Sequence, residues 1–126
     1  MLNTIIICGR MVRDPEYRMT QSQKGVANFT LAVERDFSAQ GEKRESDFID
    51  CVAWGRSAEF VKQYFSNGNI AIVCGRLQSR EWTDKDGNKR RTWEIIADRV
   101  YFGESKKNTA QQSAFQEEND DGTLPF

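Results

Sequence analysis

The side chains of this chain that could do chemistry recur in one combination, large aromatic rings set beside cations at strand spacing. Across residues 48–54, side chains alternate between two faces if the segment is extended. Phe48, Asp50, Val52 and Trp54 then share one face, and Ile49, Cys51 and Ala53 the other. Further on, Arg76, Gln78, Arg80 and Trp82 share a face opposite Gly75, Leu77 and Ser79. The small apolar set of the first segment suits a barrel interior. Rings beside guanidiniums suit a single strand of nucleic acid. Its bases stack on aromatics for about 1–3 kcal/mol each without regard to sequence, and its phosphates are met by Arg and Lys. The same pattern also fits core or interface aromatics beside a solvated strand face, since large aromatics are buried on average.

Lys85-Asp86-Gly87-Asn88-Lys89-Arg90-Arg91 adds four cations in and beside a hairpin turn, although a solvated turn would read the same way. Among the scattered cations, Arg10 and Arg56 end the first and third strands and are groove candidates, with Arg35 counted beside them. Asp50 and Glu81 would work against phosphate. Histidine is absent from all 126 residues, which removes the commonest general base and metal ligand. A nuclease built on Asp47 and Asp50 stays open, but residues three apart on a strand face opposite sides. A protein-interaction barrel whose aromatics form an oligomer interface is the other alternative. Cys8, Cys51 and Cys74 each sit in an apolar run and are expected to be buried. They have no paired CxxC spacing of the kind a zinc site uses, so no metal or cofactor is expected. No apolar run approaches the roughly 18 residues of a membrane span, and residues 2–8 make too short a run for a signal peptide. The expected location is cytoplasmic.

These side chains need strands to hold them. Residues 4–10, 27–35, 48–54, 70–82 and 91–102 read as five strands, the second alternating Phe29, Leu31 and Val33 inward. Asp14-Pro15 and Gln23-Lys24-Gly25 mark turns. After residue 54 the period changes to helical. Ser57 serves as N-cap, Ala58, Val61 and Tyr64 or Phe65 form the apolar stripe, and Asn67-Gly68 ends the helix. The fold class is therefore all-β, a five-stranded OB-fold barrel with one helix between strands 3 and 4. Strand count alone leaves another small β-barrel open.

Charge divides the chain again. The formal net charge of −1 argues at first against a nucleic-acid partner, but residues 1–103 carry 16 basic and 14 acidic side chains and residues 104–126 carry two and five. The body is thus mildly basic and the tail acidic. Residues 104–118 lack apolar periodicity and are expected to be a disordered linker. At 119–126, Asp120 and Asp121 precede an apolar Leu124-Pro125-Phe126. That tip fits a peptide ligand for a partner pocket rimmed by a cation.

Body and tail together resemble the bacterial-type single-stranded DNA-binding proteins, bacterial or phage-encoded. The resemblance rests on Met1-Leu2-Asn3, Gly9-Arg10 and Asp14-Pro15-Glu16, on residues 26–33 and 47–56, on Gly75-Arg76-Leu77 with Arg80-Glu81-Trp82-Thr83-Asp84, and on the tip. It implies base stacking on Phe37, Phe48, Trp54 and Trp82, and backbone contacts from Arg56 and Arg80. It also implies a homotetramer, and a tip that docks on replication, recombination and repair proteins. Asp50 and Glu81 depart from relatives that are basic there. Gly122 and Thr123 interrupt the acidic run before the apolar end. The DNA-binding set expected is Phe37, Phe48, Trp54, Trp82, Arg10, Arg35, Arg56, Arg76, Gln78, Arg80, Arg90 and Arg91.

Overall fold

The computed structural model describes residues 1–104. The expected linker beyond Glu104 and the tip residues Asp120, Asp121, Leu124, Pro125 and Phe126 lie outside the described residues. Six strands and one helix follow in order: β1 (Ile5–Met11), β2 (Glu16–Met19), β3 (Gly25–Glu34), β4 (Ser46–Trp54), α1 (Arg56–Tyr64), β5 (Ile70–Thr83) and β6 (Lys89–Phe102). β1 pairs with both β5 and β3, β5 with β6, β3 with β4, and β4 runs parallel to β6. That circuit closes the five expected strands into a barrel. β2 is an addition, paired only along the outer edge of β3. Four residues with mostly exposed side chains are too short to show an alternation, which is why the sequence reads there as turns.

Inward residues are small or branched. Ala27, Phe29 and Leu31 of β3 meet Cys51 and Ala53 of β4, Ala71 and Val73 of β5, and Ile95 and Ala97 of β6. Small side chains let a few strands curl tightly enough for the interior to fill. Each fully buried Leu, Ile or Phe among them contributes about 1.5–3 kcal/mol. Ala58, Val61 and Phe65 belong to the same core, and Tyr64 is exposed, so the stripe turns on Phe65.

Three local expectations are corrected. Ser57 is not the N-cap; that position is Gly55 at φ 61, without a side-chain cap. The Ser57 hydroxyl instead donates to the Asp98 carbonyl at 3.0 Å. Asp98 is the extra residue of a bulge where Cys74 faces Arg99 but Gly75 faces Ala97, so Ser57 ties the helix to the bulge. The helix also stops at Tyr64, ahead of Asn67-Gly68, with Phe65 already extended. Of the cysteines only Cys51 is buried; Cys74 is half-buried and Cys8 exposed, because alternation turns Cys8 and Cys74 to the outside of β1 and β5. Burial first, then the charges of Asp50 and Glu94, push the Cys51 thiol up to about 12.

β5 and β6 outrun the barrel. β1 pairs with β5 only over Ile70–Gly75, written by its partners Arg10 to Ile5, and β4 meets β6 only at Ile95, Ile96 and Ala97. Residues 76–83 and 89–94 therefore form a two-stranded arm. Asp84 fastens its turn by accepting from the backbone N–H groups of Asp86 and Asn88 and from Arg90 Nε at 2.9–3.0 Å.

Candidate nucleic-acid interface

Strand register decides which outward side chains become neighbours. Val26 pairs with Trp54, Asn28 with Val52, Thr30 with Asp50 and Ala32 with Phe48. On the arm, Gln78 pairs with Glu94, Arg80 with Thr92 and Trp82 with Arg90. Directly paired residues point to the same side of a sheet. The parallel β4–β6 contact, with Val52 beside Ile96, joins the two groups into one continuous face. Phe48 is 69% exposed, Trp54 41% and Trp82 44%. These rings lie on the surface of a barrel whose core is already filled.

Two hollows mark the floor between them. One of about 190 Å³ is lined by Arg13, Glu16, Thr30, Asp50, Arg80 and Glu94 among others. The other, about 350 Å³, lies between Arg18, Asn28, Val52, Trp54, Arg80 and Glu94. Glu94 is only 8% exposed, and its Oε1 accepts from Arg80 Nε at 3.2 Å. Asp50 Oδ1 accepts from the Thr30 hydroxyl at 2.8 Å, and Arg13 Nη2 reaches the same hydroxyl oxygen at 3.4 Å. Three cations thus face three acids across the floor, and little net charge is left for phosphate. The arm differs. Arg76 donates to Gln78 Oε1 at 3.3 Å, a neutral partner that leaves its charge free. The Trp82 indole N–H donates to Thr92 Oγ1 at 2.8 Å, which fixes the ring's orientation. Neutral floor, aromatic walls and a cationic arm offer stacking along the groove and phosphate contacts beside it.

The structure gathers Phe48, Trp54, Arg76, Gln78, Arg80, Trp82 and Arg90 on this face. Arg10 pairs with Ala32 and so turns the same way, but its Nη1 donates to the Gly68 carbonyl at 2.6 Å. Arg35 is clamped. Its guanidinium donates to both Asp47 oxygens and to Glu45, at 2.8–3.1 Å. The hydrogen bond to Asp47 raises the Arg35 pKa and holds the Asp47 carboxyl below its ordinary value. Phe37 stands apart at 89% exposure in the loop after β3, beside a hollow shared with Arg35 and Lys43. Arg56 lines a separate hollow with Ser57, Phe60 and Asp98 near the bulge. Arg91 and Glu81 pair with each other at 3.5 Å on the arm's other side, which also removes Glu81 from the vicinity of the Trp82 face.

Sequence reading leaves Arg13 and Arg18 among scattered cations and passes over Asn28, Thr92, Glu94 and Trp93. The hairpin supplies the missing signal. Centring the turn on 84–88 sets Arg90, Thr92 and Glu94 opposite Trp82, Arg80 and Gln78 by counting alone. Among the described residues no three His, Cys, Asp or Glu side chains gather as metal ligands do, and no helix is long and apolar enough to cross a membrane.

A closed OB barrel with exposed rings and cations along one outward face defines a class, the single-stranded nucleic-acid-binding modules. Residues 2–103 match the model of the Single-strand binding protein family, and the chain belongs to that family. Relatives agree. "Single-stranded DNA-binding protein 1" of Staphylococcus aureus (strain Mu50 / ATCC 700699) is 48% identical over 120 residues, covering 94% of this chain and 76% of the relative. The "Single-stranded DNA-binding protein" of Halalkalibacterium halodurans is 44% identical over 111 residues, covering 88% and 66%. The chain is a single-stranded DNA-binding protein and not an enzyme.

Proposed function

We propose that the chain captures single-stranded DNA without regard to sequence along the Phe48–Trp54–Trp82 face, protecting it in the cytoplasm during replication, recombination and repair. The observation that carries this reading is the exposure of three large rings on one face with Arg80 between them. Arg76, Gln78 and Arg90 supply the polar contacts, and Phe37 in its loop extends the set of rings. Arg10, Arg35, Arg56 and Arg91 contribute by releasing their present partners or from outside the groove. Domain limits of 1–103, 104–118 and 119–126 go with this reading, the last segment recruiting partner proteins.

Self-association into a homotetramer belongs to the same proposal. The outside of β1 and β5 carries Ile6, Cys8, Ile72 and Cys74 with Tyr101 of β6 alongside, an apolar surface of the kind that covers itself with another copy. Titration with a long oligothymidine at several salt concentrations tests the DNA reading through tryptophan fluorescence. Strong quenching without strand cleavage, weakening as salt rises, is expected; an unchanged signal would mean that the aromatic face serves protein contacts. Deleting residues 119–126 removes negative charge and is expected to spare or slightly tighten DNA binding. A large loss would place the tail inside the DNA site.

A further inference from the structure

The arm carries one large aromatic that the groove does not use. Trp93 pairs with Ser79, one residue out of phase with Arg90, Thr92 and Glu94, so it stands on the face opposite Trp82. It is 56% exposed, and no hydrogen bond holds its indole N–H among the described residues, in contrast to Trp82. Neither β1 nor β4 pairs with this part of the arm. An indole left in water here gains little of the burial free energy that keeps aromatics inside, so folding gives no reason for it. Lys89 and Arg91 lie on the same face by alternation, with Ser79 and Glu81 across from Trp93 and Arg91. The Arg91–Glu81 pair is long at 3.5 Å and both partners are 57% exposed, a weak surface pair that a phosphate can replace.

We infer that this back face is a second station for single-stranded DNA. The strand leaves the groove over Trp82, turns around the arm and stacks a base on Trp93, with Lys89 and Arg91 taking the adjoining phosphates. The arm is two strands wide, and paired strands lie about 4.8 Å apart, so a flexible chain turns around it within a few nucleotides. Both faces of the arm then serve one ligand, continuous at its tip, where the four cations of 85–91 cluster. The inference rests on DNA running along the Trp82 face.

The chain has three tryptophans, which makes the test direct in the full-length protein. In the Trp54→Phe/Trp82→Phe variant only Trp93 reports; in Trp93→Phe only the groove reports. Both are titrated with oligothymidines from about 8 to about 40 nucleotides, a range that brackets the site of one OB fold. Trp93 is expected to stay bright with the shortest strands and to be quenched by the longer ones. Trp93→Ala is expected to lose about tenfold in affinity for long strands and nothing for short ones, at unchanged oligomeric mass by light scattering. A Trp93 signal unmoved at every length, while Trp54 and Trp82 are quenched, overturns the second station and leaves the groove standing. A smaller assembly formed by Trp93→Ala also overturns it, giving the face to a second copy of the chain. Absence of any response from Trp54 and Trp82 in Trp93→Phe overturns the groove assignment itself, and the second station with it.

Discussion

The same two strands behave differently on either side of the bulge at Asp98. In the barrel half, Ala71, Val73, Ile95, Ala97 and Val100 are buried among five strands and a helix. In the arm half, residues 76–83 are exposed apart from half-buried Ser79, and Trp82 and Trp93 stand in solvent. Free energy of folding is concentrated in the first half. Both tryptophans of these strands and all their cations except Arg99 lie in the second, where they cost little because the arm is only two strands wide and open to solvent. A substitution should therefore act on stability or on binding according to which side of the bulge it falls.

The largest effect is expected at the boundary. A Cβ at Gly75 would collide with the carbonyl oxygen of Ile96 and crowd Ala97. Both obstacles are backbone, so no side chain can swing away. Gly75→Ala is expected to cost at least about 1–3 kcal/mol, read as a fall in the urea midpoint with the slope unchanged. Wild-type stability would show that the bulge is free to relax, and the division between the two halves would lose its physical basis.

Next in size is the converse experiment on exposed rings. Trp54→Ala combined with Trp82→Ala removes two stacking platforms at about 1–3 kcal/mol each. Affinity for oligothymidine should fall at least about thirtyfold, while the urea midpoint moves by no more than about 0.5 kcal/mol equivalent. Unchanged affinity would sink the groove assignment. A large stability loss would instead make the rings part of the core.

How much of this was legible follows the same division. The barrel half was readable because a buried face imposes a period. Ile49, Cys51 and Ala53 alternate with Phe48, Asp50 and Val52 whatever the tertiary context, and the switch to helical spacing at Ala58 and Val61 is equally local. Closure was not readable, since it depends on β1 bridging β5 and β3. Nor was β2, whose four residues bury almost nothing. Ser57 misled because a Ser ahead of an apolar stripe is a good N-cap, and only the bulge, a non-local feature, offered its hydroxyl another acceptor. On the arm the rings and cations could be assigned to faces, but their partners could not. That Arg35 is clamped by two acids, and that Glu94 is buried beneath Arg80, depends on cross-strand register.

Glu94 gives a smaller and more specific contrast. Its carboxylate lies on the groove floor and holds Arg80, so it opposes phosphate both directly and by occupying a cation. Glu94→Gln keeps the shape and removes the charge. DNA affinity is expected to rise a few-fold at low salt, with the plot of log affinity against log salt steepening by up to about 0.7, the value of one added phosphate contact on a single strand. A slope and affinity identical to wild type would mean that Arg80 meets no phosphate even when freed. Arg76→Ala should move the slope the other way by a similar amount, because its partner Gln78 is neutral.

The smallest effect separates the arm from the barrel by acidity. The Asn88 backbone N–H above all, then Arg90, holds the Asp84 carboxyl below its ordinary value. A carboxyl whose folded pKa lies below its unfolded one stabilises at pH values above the unfolded pKa, and that contribution fades as pH falls through the folded one. Asp84 therefore supports the turn fully at neutral pH and progressively less below about pH 4. Barrel positions such as Leu31 and Val73 have no such dependence of their own, being held by apolar burial. Amide exchange at Asp86 and Asn88, corrected for intrinsic rates, should accelerate on acidification before exchange at Leu31 does. In Asp84→Asn it should be fast already at neutral pH and insensitive to further acid. Parallel acceleration of arm and barrel amides would show that the two halves open together, and that the bulge does not divide them energetically.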